Sequence, residues 1–309
     1  MVMKYVIEAA ELLDDPNVDG SKVGKVLEKY GLKPEIIRLS GDKGHTDLIK
    51  VLIPGSKGRS CGGDAPTLGI IGRLGGVGAR PDRIGLVSDA DGAIVALAAA
   101  MKLGSMRIKG DILPGDVIIT THICPNAPTL PHKPVPFMGS PIDLNTLIKY
   151  EVDPNMDAIL SIDATKANRI VKWRGIAITP TIKEGYILKV SDCLLDILEW
   201  VTGSIPRVVP ITMQDLTPYT VGVYHINSMV LPWLATDSPV VGVAITSEVP
   251  VPGCATGANN LVDLELACRF VIEVAKAFTA GECKFYDESE FKKLVEYYGS
   301  MKHLRRGFK

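Results

Sequence analysis

The chain is predicted to be an α/β protein: a three-layer α-β-α sandwich around a mixed, mostly parallel central sheet. Two observations carry this. Apolar residues alternate between helix-like and strand-like spacing from end to end, with Gly or Pro at the changes of element. The runs at 117–120, 158–162 and 239–245 are apolar throughout instead of alternating, as strands covered on both faces require.

Taken in order, Val6, Ala9, Ala10 and Leu13, then Val23, Val26 and Leu27, recur at three- and four-residue spacing. They predict two amphipathic helices, split by the Asp-Pro-Asn at 15–17 and by Gly20-Ser21. Strands follow at 48–53 and 67–72, then an Ala-rich buried helix at 91–103. Beyond it the pattern predicts strands at about 116–121, 157–162, 207–211 and 239–246, and helices at about 191–203, 224–235 and 261–279. No boundary interrupts the alternation, so residues 1–309 are expected to form a single domain without a separate lid. The segment 124–141 holds six prolines in eighteen residues, which excludes helix and central strand and leaves a long loop. Loops of that length inside a compact domain are often lids or binding loops; a structural strap is the alternative.

Composition narrows the function classes. With 34 Lys plus Arg against 35 Asp plus Glu, the net charge of -1 gives no general attraction to phosphate backbones or anionic membranes. The longest apolar run, nine residues, is about half of the ~20 needed to span a bilayer. No nucleic-acid or membrane partner is expected, and a cytoplasmic location follows by default. Six cysteines without a CxxC pair read as mostly reduced thiols.

The central strands run into Thr121-His122, Asp163 and Thr246-Ser247-Glu248. Ligands of open α/β sheets bind beyond the carboxyl ends of the strands, so a site is expected there. His122 and Cys124, two apart at a strand end, point to one side if the extended backbone persists. They suit three readings: metal ligands completed by Asp163 and Asp89; a Cys124 thiolate with His122 or His132 as base; or a buried thiol beside a histidine satisfied by backbone. Asp89 and Asp91 flank the start of a helix, where either could instead cap its first amides. Asp163 is a candidate ligand or base, with a local turn as the plainer alternative. Arg73, in the turn GRLGGVGAR, could hold a carboxylate or phosphate. Its glycines do not open directly onto a helix, so no nucleotide cofactor is expected. Cys254 and Thr256 precede Asn259 and Asn260, one of which should cap the last long helix. His225 opens a predicted helix that could approach the same face, and His45 reads as a surface residue.

The order of elements resembles the two-zinc aminopeptidase and carboxypeptidase superfamily, with its phosphorylase/hydrolase-like fold, over nearly the whole chain. The stretches that carry it are the opening helices with a hairpin ending VLIPG, then PTLGIIGRLGGVGA, SDADGAIVALAAAMKL, AILSIDAT, PVVGVAITSE and ATGANNLVDLELACRFVIEV. THICPNAPTLPHKPVPFMGSPID also resembles an uncharacterised microbial family of unknown function. The zinc-exopeptidase-like resemblance implies a dinuclear centre of about five ligands, and this sequence keeps two of them. The first ligand His aligns with Arg73, its companion Asp with Gly75, and the last His with Thr256. Asp89, with Gly92 three residues on, and Asp163 are kept; His122 stands near the place of a missing Glu pair.

The expectation is therefore a hydrolase-like protein acting on an amide or small peptide-like substrate through a remodelled site. Asp89, His122 and Asp163 would hold one zinc ion; His122, Cys124 and Asp163 would be catalytic; and Arg73, His132, Cys254 and Thr256 would bind substrate. The alternative is a non-catalytic module of the same fold that binds a small ligand. The superfamily's habit of assembling implies a homo-oligomer.

Overall fold

In the computed structural model, residues 1–131, 133, 136–223, 227–251 and 257–308 are described. The chain opens with helices α1 (Met3–Asp14) and α2 (Gly20–Glu28), then the hairpin β1 (Glu35–Gly41) and β2 (Gly44–Ile53). Strand β3 (Leu68–Gly72), helix α3 (Asp91–Ile108) and strand β4 (Val117–Ile123) follow. Two short strands, β5 (Thr129–Leu130) and β6 (Phe137–Met138), pair within the Pro-rich segment. Next come α4 (Leu144–Glu151), β7 (Ala158–Ala164), β8 (Gly175–Ile178), β9 (Ile182–Lys183), β10 (Tyr186–Ile187) and α5 (Asp192–Thr202). Strand β11 (Val240–Thr246) and helices α6 (Leu261–Thr279) and α7 (Glu288–Tyr298) complete the order.

The sheet is mixed, and its middle is parallel. Along it run β1, β2, β4, β3, β7, β11, β9 and β10, with β8 also on β11. β4, β3, β7 and β11 are mutually parallel, while the hairpin and the strands beyond β11 are antiparallel to their neighbours. The parallel strands are buried along nearly their whole length because both faces are covered. Alternate residues serve opposite faces. Ile70, Leu160 and Val243 join the cluster built on α1, α3, α5 and α6; Ile71, Ile159 and Ala244 join Ile148 of α4, Trp233 and Val230 in a second cluster.

Helix α3 starts deep inside the fold because of Gly92. A Cβ there would lie 2.5 Å from the carbonyl oxygens of both Arg73 and Ile162, so only glycine lets the helix begin between the ends of β3 and β7. That close approach carries Asp89 and Asp91 to the carboxyl edge of the sheet.

Several expectations need correction. Residues 207–211 contribute only a bridge from Val208 to Ile178, not a strand. The helix expected at 224–235 is a 3-10 segment, Ser228–Ala235, since Pro232 within it lacks the amide an α-helix needs. Helices α4 and α7 were not foreseen. Two cysteines depart from the expected reduced state: Cys193 and Cys283 form a disulfide across 90 residues of sequence, Cα to Cα 5.7 Å, while Cys61, Cys124 and Cys268 are free thiols. Among the described residues no helix is long and apolar enough to cross a membrane.

Candidate active site

Four parallel strands end on one edge, and the side chains there build a cavity of about 530 Å3. Asp89, His122, Cys124, Asp163, Tyr219 and Ser228 give it polar groups, and Leu74, Met138, Ile142 and Leu147 are among its apolar walls. The Pro-rich segment contributes Ala127 and Met138 to the lining of the site.

The cavity's most ordered relationship centres on a residue the sequence reading passed over. Glu151, the last residue of α4, is fully buried. One of its carboxylate oxygens lies 3.2 Å from His122 Nδ1, the other 3.2 Å from Arg73 Nη1. Its main-chain carbonyl accepts from the Thr120 hydroxyl at 2.7 Å. Thr120 and His122 are two apart on β4, so one face of the strand meets Glu151 twice. Burial raises the Glu151 carboxyl, but the Arg73 charge and the His122 hydrogen bond outweigh it and hold the group below its ordinary value. As a carboxylate it can only accept, so Nδ1 of His122 carries a hydrogen, and in the neutral ring Nε2 is then the acceptor.

The signal that could have revealed Glu151 is its spacing. Leu144, Leu147, Ile148 and Glu151 stand at i, i+3, i+4 and i+7, which puts a carboxylate on the apolar face of a helix. A buried acid implies a buried partner.

Asp89 and Asp163 are the other two acids on the cavity. Burial, then the neighbouring Asp163 and Asp91 charges, raise the Asp89 carboxyl well above its ordinary range. Burial also raises Asp163, to about 6, against the pull of its Ser228 hydrogen bond and of Arg73. Ser228 donates its hydroxyl to Asp163, and the Ala164 amide donates to the same carboxylate at 2.8 Å. Asp163 is a residue of strand β7 and its amide contact is with the very next residue, so the local turn weighed as its alternative is not formed.

Asp91 does not cap α3; its carboxylate receives Lys166 Nζ and, at 2.6 Å, the Asn259 amide. Asn260 caps α6, accepting from the Val262 amide. His45 is exposed, as expected.

Cys124 shares the cavity with His122, so the shared side expected for the pair holds. Its Sγ donates to the His45 carbonyl at 3.6 Å, and burial pushes the thiol up to about 11. At neutral pH it is a protonated, packed thiol, unlike the activated thiolate of a nucleophilic cysteine. Arg73 is fully buried and is not part of the cavity lining, so it acts as an internal charge and does not meet a substrate carboxylate directly. His132, His225, Cys254 and Thr256 lie outside the described residues.

Among the described residues, no three His, Cys, Asp or Glu side chains converge as a group that could hold a metal ion. The turn after β3 explains part of this, because it places the Arg73 guanidinium among the acids and leaves no room for a side chain at 75. A Cβ on Gly75 would fall 1.4 Å from the His122 carbonyl oxygen. The described residues therefore do not fit the zinc centre that the resemblance implies.

The sequence profile of a family described as "Protein of unknown function (DUF1177)" matches residues 37–307. The chain belongs to that family. A comparison with curated proteins finds no match. Among solved structures, the chain is similar to the bottromycin maturation enzyme BotP, with a TM-score of 0.51 at 16% identity over 90% of this chain and 70% of that one. At that identity the likeness is one of fold.

Proposed function

We propose that this chain is a hydrolase-like enzyme that cleaves an amide or small peptide-like substrate in the cavity at the sheet edge. The observation that carries the reading is Glu151 holding His122 so that its accepting nitrogen serves the cavity, beside Asp89 and Asp163. A buried carboxylate that fixes the tautomer of a histidine is the arrangement general-base catalysis requires. The maturation-enzyme neighbour supports it only through a shared fold, which we read as a three-layer sandwich of the zinc-exopeptidase kind.

In this reading His122 Nε2 takes a proton from water as the water oxygen bonds to the amide carbon. The carbonyl oxygen, gaining negative charge, accepts a hydrogen bond from the acid form of Asp89, the form that its burial favours. The adduct then collapses: the carbon–nitrogen bond breaks, and His122 returns the proton to the departing nitrogen. Asp163, fixed by Ser228 and the Ala164 amide, orients the attacking water. The apolar walls from Leu74, Met138, Ile142 and Leu147 favour a substrate with an apolar side group.

The test is a panel of aminoacyl and dipeptidyl amides followed by mass spectrometry of the products. Cleavage that falls about 100-fold or more in His122→Asn supports the reading. Cleavage indifferent to His122 overturns it.

One observation favours a second reading, a small-ligand-binding protein that does no chemistry: the Glu151 carboxylate is already engaged inside the protein, paired with Arg73 on one oxygen and His122 on the other. A panel member that raises the melting temperature without being cleaved would select it. A panel that produces neither cleavage nor a shift removes both.

A further inference from the structure

We infer that the Arg73 guanidinium is the resident cation of this site, built into the fold where a bound metal ion would otherwise balance the acids, and that the turn carrying it is closed to metal ligands. The inference concerns the same cavity but does not depend on its turning over a substrate.

Three observations converge. First, the charge is where the acids are. Arg73 Nη1 lies 3.2 Å from Glu151, whose other carboxylate oxygen meets His122 on the cavity. Both residues of the ion pair have no exposed surface, so each buried charge depends on the other. Second, the guanidinium is held by position and charge: Nε, Nη1 and Nη2 of Arg73, and Oε2 of Glu151, make no hydrogen bond of good geometry among the described residues. A guanidinium kept in place without matched hydrogen bonds is costly, and charge balance among buried carboxylates is the compensation the site offers. Third, the backbone allows no return to a ligand set at this turn. The Arg73 amide donates to the Ile162 carbonyl at 2.8 Å, and Gly75 O accepts the Cys124 amide at 2.9 Å. These bonds lock the turn onto β7 and the end of β4. With a Cβ at 75 directed into the His122 carbonyl, a carboxylate there would have to displace β4.

The consequence is that a divalent ion and Arg73 compete for one role. With Arg73 present, Glu151 is committed to the guanidinium and to His122. Without it, the Glu151 and Asp163 carboxylates beside His122 are left with uncompensated negative charge, which favours uptake of a cation in place of the guanidinium.

The experiment is cobalt(II) binding by equilibrium dialysis, with d–d absorbance and thermal melting as parallel readouts, on wild type, Arg73→Met and Arg73→Lys. Wild type and Arg73→Lys should take up no stoichiometric cobalt and melt alike with and without it. Arg73→Met should gain at least about tenfold in cobalt affinity and recover melting temperature when cobalt is added. If Arg73→Met does not fold, wild type still decides: one tightly held cobalt per chain that raises its melting temperature overturns the inference, and none supports it. A folded Arg73→Met with no gain in affinity also overturns it. No readout involves substrate, so a failure of the hydrolase reading leaves this result distinct.

Discussion

Glu151 holds His122 with one carboxylate oxygen and Arg73 with the other, each at 3.2 Å, and all three side chains are buried or nearly so. A single short helix, α4, thus couples the fixed cation of the site to the histidine that faces its cavity. Replacing Glu151 by Gln keeps the shape but leaves a buried guanidinium without its counter-charge. Breaking one partner of a buried pair typically costs about 3–5 kcal/mol, so Glu151→Gln should lose stability of that order in urea. The His122 ring should also lose its fixed Nδ1–H tautomer, visible in 15N spectra of the imidazole. An unchanged tautomer would contradict the role given to Glu151.

The contact between Gly75 and the His122 carbonyl makes a second prediction. Gly75→Ala requires backbone movement at the end of β4, since the added Cβ has 1.4 Å of room. The variant should be destabilised by more than about 4 kcal/mol or fail to accumulate as folded protein. Gly257→Ala, whose nearest contact is 3.4 Å away, should stay within about 0.5 kcal/mol of wild type by the same urea assay.

Thiol reactivity separates the free cysteines. Cys61 is exposed, whereas burial raises the thiols of both Cys124 and Cys268. Native protein treated with iodoacetamide at pH 8 should be labelled at Cys61 well before either of them, as peptide mapping would read directly. Early labelling of Cys124 would restore it as a candidate nucleophile.

Asp47 supplies a pH test away from the cavity. It receives Arg38 Nε at 2.6 Å and the Gly20 amide at 2.8 Å, tying β2 to β1 and to the start of α2. Burial raises its carboxyl, but these bonds outweigh it and hold the group below its ordinary 3.8. A carboxyl depressed in the folded state contributes stability above its unfolded value and loses it as pH falls through the folded one. Asp47→Asn should therefore be less stable than wild type at pH 7, with the gap closing only below about pH 4 in melting curves.

The parts of the fold that were legible are those written in continuous apolar runs. β4, β7 and β11 lie within two residues of their expected positions because a strand buried on both faces admits almost no polar residue. The spacing of Asp89 and Gly92 was legible only through the family resemblance, and the structure supplies its reason, since a Cβ at 92 would meet the Arg73 and Ile162 carbonyls. Glu151 was not found, because α4 has only eight residues and follows a proline-rich stretch that masks its period. The disulfide was hidden for a different reason, since nothing local brings Cys193 to Cys283. At 207–211 and 224–235 the residue types were suited to strand and helix, but prolines at 206, 210 and 232 remove the amides those structures need.

The Cys193–Cys283 bond closes a covalent ring, and the ring passes through one wall of the cavity and not the other. Tyr219 and Ser228 belong to the closed loop; Asp89, His122, Cys124 and Asp163 lie on the open chain before it. In an oxidising setting the two walls are therefore anchored by different means, one by covalent closure as well as packing, the other by packing and hydrogen bonds alone. The segment that brings Ser228 to Asp163 therefore lies within a covalent loop, while the one that brings Glu151 to His122 does not.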